Sequence, residues 1–208
     1  MIANKCLSYR KMSQIKEKKT YYIYLAGPEV FLLDPIQAGK DKKEVLQRIS
    51  RYCLFNLVGL YPMDNEIPDF SENKETGLRI YQANMEQIKK ADVVVVNMVR
   101  FRGPSMDVGS AFEMGVARGL NKPVFGYYDT FPFYNVKEKP ELYCDKVKKF
   151  CSDDGLAVEN FDMPDNLMMI GALNDAQCDI ETSFENAVYN AAAWITKNIH
   201  SVVSSPFN

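Results

Sequence analysis

Residues Asp92 to Met98 read DVVVVNM. Four valines in succession show no alternation of apolar and polar positions, the pattern of a strand covered on both faces, as in the middle of a parallel sheet. On either side of this run the chain alternates helix and strand signals. Upstream, Leu78, Tyr81, Met85 and Ile88 share one helical face and predict a helix over 76–90. Before it, GLYPM at 59–63 reads as a short strand, ended by the acidic loop Asp64-Asn65-Glu66. Val45, Leu46, Ile49, Tyr52, Cys53 and Asn56 recur at helical spacing and predict a helix over 40–57. YYIYLA at 21–26 is an aromatic, β-branched strand stopped by Gly27-Pro28.

Downstream, a turn at 100–104 leads to a helix over 107–120, with Val108, Ala111, Phe112, Gly115, Val116 and Gly119 as its packing face. Residues 123–128 form a fourth strand, and a loop rich in Pro, Tyr and Phe covers 129–143. Helices are expected near 165–172 and 182–199. This alternation is that of a doubly wound, Rossmann- or flavodoxin-like α/β fold, a parallel sheet with flanking helices. The 208 residues divide into a basic extension over 1–20, one α/β domain over 21–200 and a tail over 201–208. In such sheets ligands bind beyond the carboxyl ends of the strands, where strand order reverses. The stretches at those ends are 27–31, 64–66, 100–107 and 129–134, and acids or a Gly-Pro step recur in them.

Composition removes several classes of function. A net charge of −2 gives no basic field for nucleic acid. The longest apolar runs fall short of a membrane span and the basic start has no apolar signal core, so a cytoplasmic protein is expected. The five cysteines form no CxxC pair and read as reduced thiols. The single histidine, His200, lies near the chain end, so neither a Ser-His or Cys-His nucleophile pair nor a His-based zinc site suggests itself. The phosphate-binding patterns GxxxxGK[ST] and GxGxxG are missing, and Asp153-Asp154-Gly155 lacks the alternating ligands of a calcium loop. No cofactor or metal is expected, and proton work falls to carboxylates, tyrosines or amides.

One acid stands out. DVGSAFE, Asp107 to Glu113, opens the helix that follows the central strand. A charged residue in a helix usually faces water. Glu113, however, is set among Val108, Ala111, Phe112, Met114, Gly115, Val116 and Ala117, and helical side chains lean toward the N-terminus, here toward the ligand crevice. Gly109 and Ser110, one turn back, leave room over its carboxylate. A buried acid on a crevice-facing helix is a candidate for a site. Asp107 suits the N-cap and can still present an oxygen to a ligand.

At this point the motifs YIYLAGPEVF, MDNE, YQANMEQIKKADVVVVNM, FRGPSMDVGSAFEMGVARGLNKPV and DMPDNLMMIG resemble, in that order, the nucleoside 2-deoxyribosyltransferase family. The resemblance runs from about residue 21 to 171 and implies transfer of 2-deoxyribose between purine or pyrimidine bases, with retention, through a glutamyl-deoxyribosyl intermediate, as part of nucleotide salvage. By motif, the nucleophile falls on Glu113, the sugar-binding acid on Asp107 and the tyrosine that orients the nucleophile on Tyr24, beside the Gly27 turn. The base-contacting segment corresponds to Asp64 and Glu66, and the asparagine that a neighbouring subunit lends to each site corresponds to Asn166. A homo-oligomer with shared sites is therefore implied, with a 2-deoxynucleoside donor, a nucleobase acceptor and no membrane or nucleic-acid partner. In one place the chain departs from the pattern: Asn84 stands where many members carry an aspartate able to protonate the departing base. An amide hydrogen-bonds but gives no proton, so Glu66, Asp64 and Asp107 are the substitutes for a general acid.

A carboxylate nucleophile beside a second proton-handling group is what retention at a glycosidic carbon requires. Two other readings stay open. One is an N-glycoside hydrolase of deoxynucleosides or their 5-monophosphates, with Arg100, Arg102, Ser105 and Ser110 as phosphate contacts. The other is a non-catalytic nucleoside-binding module in which Glu113 is a buried ion-pair partner.

Overall fold

The computed structural model describes residues 18–103, 105–128, 143–144, 149–151, 156–161, 163–173 and 180–203. Most of the expected N-terminal extension, the 129–142 loop, the Asp153-Asp154-Gly155 turn and residues 204–208 lie outside the described residues. Strand β1 (Thr20–Ala26) runs into a 3-10 turn (Pro28–Phe31) and helix α1 (Pro35–Ser50). Then come β2 (Asn56–Leu60), a second 3-10 turn (Pro62–Asp64), α2 (Lys74–Lys90), β3 (Val93–Asn97), α3 (Val108–Gly119) and β4 (Val124–Tyr127). A two-stranded antiparallel ribbon, β5 (Tyr143–Cys144) with β6 (Lys149–Phe150), precedes the short α4 (Leu167–Gly171) and the long α5 (Phe184–Val203).

The main sheet has the order β2-β1-β3-β4 and every pairing in it is parallel, so the doubly wound architecture holds. The valine run is its pivot. Val93 and Val95 face a core with Ile23, Leu25, Leu46 and Ile195, against α1 and α5. Val94 and Val96 face the opposite core with Tyr24, Ile88, Met114 and Ala117, against α2, α3 and α4. Each valine is fully or almost fully buried, which is why no polar residue interrupts the run. The chain leaves β1 toward β2 on one side and later returns to β3 on the other. The reversal of strand order therefore falls between β1 and β3, above Ala26 and its register partner Val96.

Helix starts follow local chemistry. Asp34 accepts from Gln37 N (2.9 Å) with Pro35 at the first position, Asn73 accepts from Thr76 N (2.9 Å), and Asp107 accepts from Ser110 N (2.8 Å). Two expectations are corrected. The first helix covers Pro35–Ser50 rather than 40–57, because the Asp34-Pro35 cap starts it early, while Tyr52 and Leu54 are exposed beyond its end. The strand expected at 59–63 is Asn56–Leu60, with Asn56 N bonded to Lys19 O and Pro62 opening a 3-10 turn. The packing face of α3 also differs. Ser110, Met114 and Ala117 are buried, whereas Val108 and Phe112 are exposed. The apolar pattern of that helix covers both faces, so periodicity alone picked the wrong one.

Candidate active site

β1 and α3 bring the two central groups together. Tyr24 is completely buried on the α3 side of the sheet, and its hydroxyl donates to Glu113 Oε1 at 2.6 Å. Met114 and Ser110 on either side of Glu113 are buried, which draws the carboxylate into the same apolar wall. Burial is the main reason its proton affinity rises to about 7; the negative charge of Asp107 raises it further, against a lowering by the Tyr24 hydrogen bond. Tyr24 is held well above the ordinary tyrosine range by burial first and then by the Glu113 charge and hydrogen bond, so it stays a donor. Glu113 Oε2 has no hydrogen-bond partner among the described residues.

Asp107 is buried at the head of α3, where Oδ2 accepts both the backbone N–H and the hydroxyl of Ser110, each at 2.8 Å. The cap and the site therefore share one residue. The loop that delivers Asp107 is itself held: Arg100 and Met106 form an antiparallel bridge, and Asp165 accepts from Ser105 Oγ and from Met106 N (3.1 Å). Asp165 gave no sequence signal, since its partners lie some sixty residues away in the chain.

The other expected residues are placed less closely. Asp64 is exposed and committed to structure, with one oxygen paired to Lys43 and the other accepting from Tyr61 N (3.1 Å). Glu66 is exposed on the same turn. Asn84 on α2 accepts from Asn65 Nδ2 at 3.0 Å. Asn166 caps α4 through Met168 N (3.0 Å) and donates to Glu159 (2.9 Å); it is exposed, and none of its hydrogen bonds goes to Tyr24, Asp107 or Glu113. Gly27 lies where β1 ends, so close to Asn97 that an added Cβ would sit 2.9 Å from its side chain and run into the Glu29 carboxylate.

That glutamate is the group sequence reading missed. Glu29 Oε1 receives Lys42 Nζ at 2.6 Å, Asn97 Nδ2 at 2.7 Å and Tyr127 Oη at 2.8 Å, in a buried cluster on the α1 side of the same sheet edge. Burial pulls its proton affinity up, but Lys42 and the hydrogen bonds outweigh that and leave it below the usual carboxylate range. Two residues on, Phe31 stacks on Phe101 at 5.0 Å and the Arg102 guanidinium lies over both rings, joining the loops after β1 and β3.

With this geometry in place the comparisons with known proteins are specific. The sequence profile of the nucleoside 2-deoxyribosyltransferase family matches residues 23–168, well over half of the chain. The chain belongs to that family. A solved 2-desoxiribosyltransferase from Leishmania mexicana superposes with a TM-score of 0.62 at 28% identity, covering 83% of this chain and 97% of its own. An uncharacterized protein of Schizosaccharomyces pombe is 24% identical over 192 residues, 82% of this chain and 88% of that protein. The family profile includes Tyr24, Asn84, Asp107, Glu113 and Asn166, and ends just beyond the last of these. Among the described residues, no helix of this family member is long and apolar enough to cross a membrane.

Proposed function

We propose that the protein transfers 2-deoxyribose between nucleobases by two successive displacements at C1′. The observation that carries this reading is the Tyr24–Glu113 pair: one carboxylate oxygen held at 2.6 Å by a buried hydroxyl, the other open, with a proton affinity near neutrality. In the first step Glu113 Oε2 attacks C1′ from the face opposite the base. The electron pair of the C1′–N bond leaves with the base, and a glutamyl ester remains. A nitrogen of the incoming base then attacks C1′, returns the electron pair to the carboxylate and gives up its proton to water, which balances the proton the departed base took from water. Two inversions give net retention. Tyr24 aims the carboxylate, Asp107 holds the sugar through the oxygen not used by Ser110, and the base lies toward Glu66 and Asn84. No cofactor takes part.

The exposed, capping Asn166 suits a residue offered to a neighbouring copy, and we read the working unit as a homo-oligomer. A missing 2-hydroxyl is favoured by the packed wall around Tyr24 and Glu113, so ribonucleosides should react slowly.

The rival hydrolase of 5-monophosphates is disfavoured by Asp107. The Ser110 N–H and hydroxyl that could cradle a phosphate are already bonded to this carboxylate, which would repel the ligand. The experiment is to incubate 2-deoxyinosine with adenine and separate the products. Formation of 2-deoxyadenosine and hypoxanthine is expected. Free deoxyribose without a new nucleoside would mean hydrolysis, and no turnover with retained binding would mean a binding module.

A further inference from the structure

A chain of three amides crosses from the turn after β2 to α2. Gln87 Nε2 donates to the backbone oxygen of Tyr61 (3.2 Å) and to Asn65 Oδ1 (2.9 Å). Asn65 Nδ2 donates to the backbone oxygen of Pro62 (3.0 Å) and to Asn84 Oδ1 (3.0 Å). Side-chain amides can be turned either way, but peptide carbonyls only accept. Two of them, at Tyr61 and Pro62, therefore set the direction of the whole relay. Gln87 must present nitrogen, Asn65 must receive on oxygen and give from nitrogen, and Asn84 must receive on oxygen. The arrangement leaves Gln87 Oε1 buried without a partner among the described residues, so it persists against a local cost.

What remains of Asn84 is its NH2, which finds no acceptor among the described residues. It also lies on the right side. Tyr81, one turn earlier on the same face of α2, meets Phe112, the neighbour of Glu113, with ring centroids 6.3 Å apart. The Asn65 turn follows β2, whose Leu60 is the register partner of Tyr24. Asn84 thus lies on the side of α2 that faces α3, the helix that carries Glu113.

We propose that Asn84 is a specificity-determining hydrogen-bond donor of fixed polarity, aimed by Asn65 and Gln87, which selects nucleobases that turn an unprotonated ring nitrogen or carbonyl oxygen toward α2. This rests on the transfer reading above for its ligand, and on the relay for its direction. A base that turned an N–H or NH2 to the same point would meet two donors facing each other. Asn65 and Gln87 are positioning residues that need not touch the ligand.

The test compares 2-deoxyadenosine with its 3-deaza and 7-deaza analogues, each of which replaces one ring acceptor by C–H. The wild-type protein should disfavour one analogue about tenfold or more in kcat/KM for base exchange, the scale of a lost hydrogen bond that leaves a donor unpaired. Asn84→Leu should compress that ratio to about threefold or less, by slowing 2-deoxyadenosine rather than the analogue. Asn84→Ala removes the outward donor with a smaller side chain, so it should compress the ratio too and serves if the leucine variant fails to fold. Asn65→Leu should act in the same direction, and the double variant should lose no more than Asn84→Leu alone. A ratio unchanged in a folded Asn84 variant overturns the proposal. Calorimetric Kd values for adenine and the two deaza bases separate the two levels. If no exchange is seen but the binding ratio collapses in Asn84→Ala, the donor reading stands and the transfer reading fails.

Discussion

Two glutamates sit under the same sheet edge, on opposite faces, and are treated in opposite ways. Glu29, on the α1 side, has a cation and two neutral donors on one oxygen and is held ionised. Glu113, on the α3 side, has one tyrosine hydroxyl and an anionic neighbour, and burial lifts its proton affinity to about 7. Removing a carboxylate from water is costly on either side. At Glu29 the surroundings offset most of that cost. At Glu113 they do not, and a carboxylate left short of donors is free to spend its electron pair elsewhere. The contrast predicts that the two residues fail differently when removed.

The largest effect should follow from Glu113→Ala. Loss of the group that would form the covalent bond should lower base exchange by roughly a thousandfold or more, while the fold is kept. Rapid mixing of the wild-type protein with donor alone should release a burst of base close to one per site, absent from the variant, with the sugar found on Glu113 by peptide mass spectrometry. A variant that still exchanged bases near the wild-type rate would break the assignment of this side as the reactive one.

Glu29→Ala should act on stability instead. Lys42, Asn97 and Tyr127 would lose the buried acceptor they share, at a cost of about 1–3 kcal/mol or more, read as a fall in unfolding midpoint in denaturant. A loss below about 1 kcal/mol would mean that the cluster is not the compensated pair described above.

Why one side was legible in sequence and the other was not follows from range. The valine run at Val93–Val96 announces a doubly covered strand because four apolar residues follow one another without alternation, and that information is local. Glu113 was found for the same reason, as a charge inside an apolar run. Lys42 belongs to a stretch, KDKKE, that reads as a solvated helix face, and its partner is thirteen positions away on another element. Only the fold brings them together. The exposed Val108 and Phe112 mark the converse error: an apolar residue on a helix says that something covers it, not which side of this chain does.

The titration of the two acids should bend the stability curve in opposite senses. Glu113 is raised above its ordinary 4.5, so below that pH both states hold the proton. Between 4.5 and about 7 the unfolded chain ionises while the folded one keeps its proton, so this contribution is lost as pH rises and is gone above 7. Glu29, lowered, contributes stability above the ordinary carboxylate range that is lost as pH falls through its folded value. Glu113→Gln should therefore flatten the decline between 4.5 and 7, a difference on the order of 2–3 kcal/mol when denaturation curves at the two ends are compared. A decline as steep in the variant as in wild type would remove Glu113 as its cause.

The smallest change sharpens the comparison most, because the same atom can be deleted on each side. Among the described residues, Tyr24→Phe takes away the one donor to Glu113, and Tyr127→Phe takes away one of three groups on Glu29 Oε1. Both should cost stability of only about 0.5–1.5 kcal/mol, as for an ordinary hydrogen bond. Their effects on activity should differ. The Tyr24 hydroxyl lowers the proton affinity of Glu113, so its loss lets that value climb above about 7. The rising limb of the pH–rate profile, set by ionisation of the nucleophile, should then move to higher pH. At neutral pH the variant should be slower by about tenfold, and part of that loss should be recovered under alkaline conditions. The part not recovered reports how much the hydroxyl aims the carboxylate rather than tunes it. Tyr127→Phe should leave the limb where it is, since Lys42 and Asn97 still hold Glu29 and the pair faces away from Glu113 across the sheet. Equal shifts in the two variants would mean that the two faces are coupled after all.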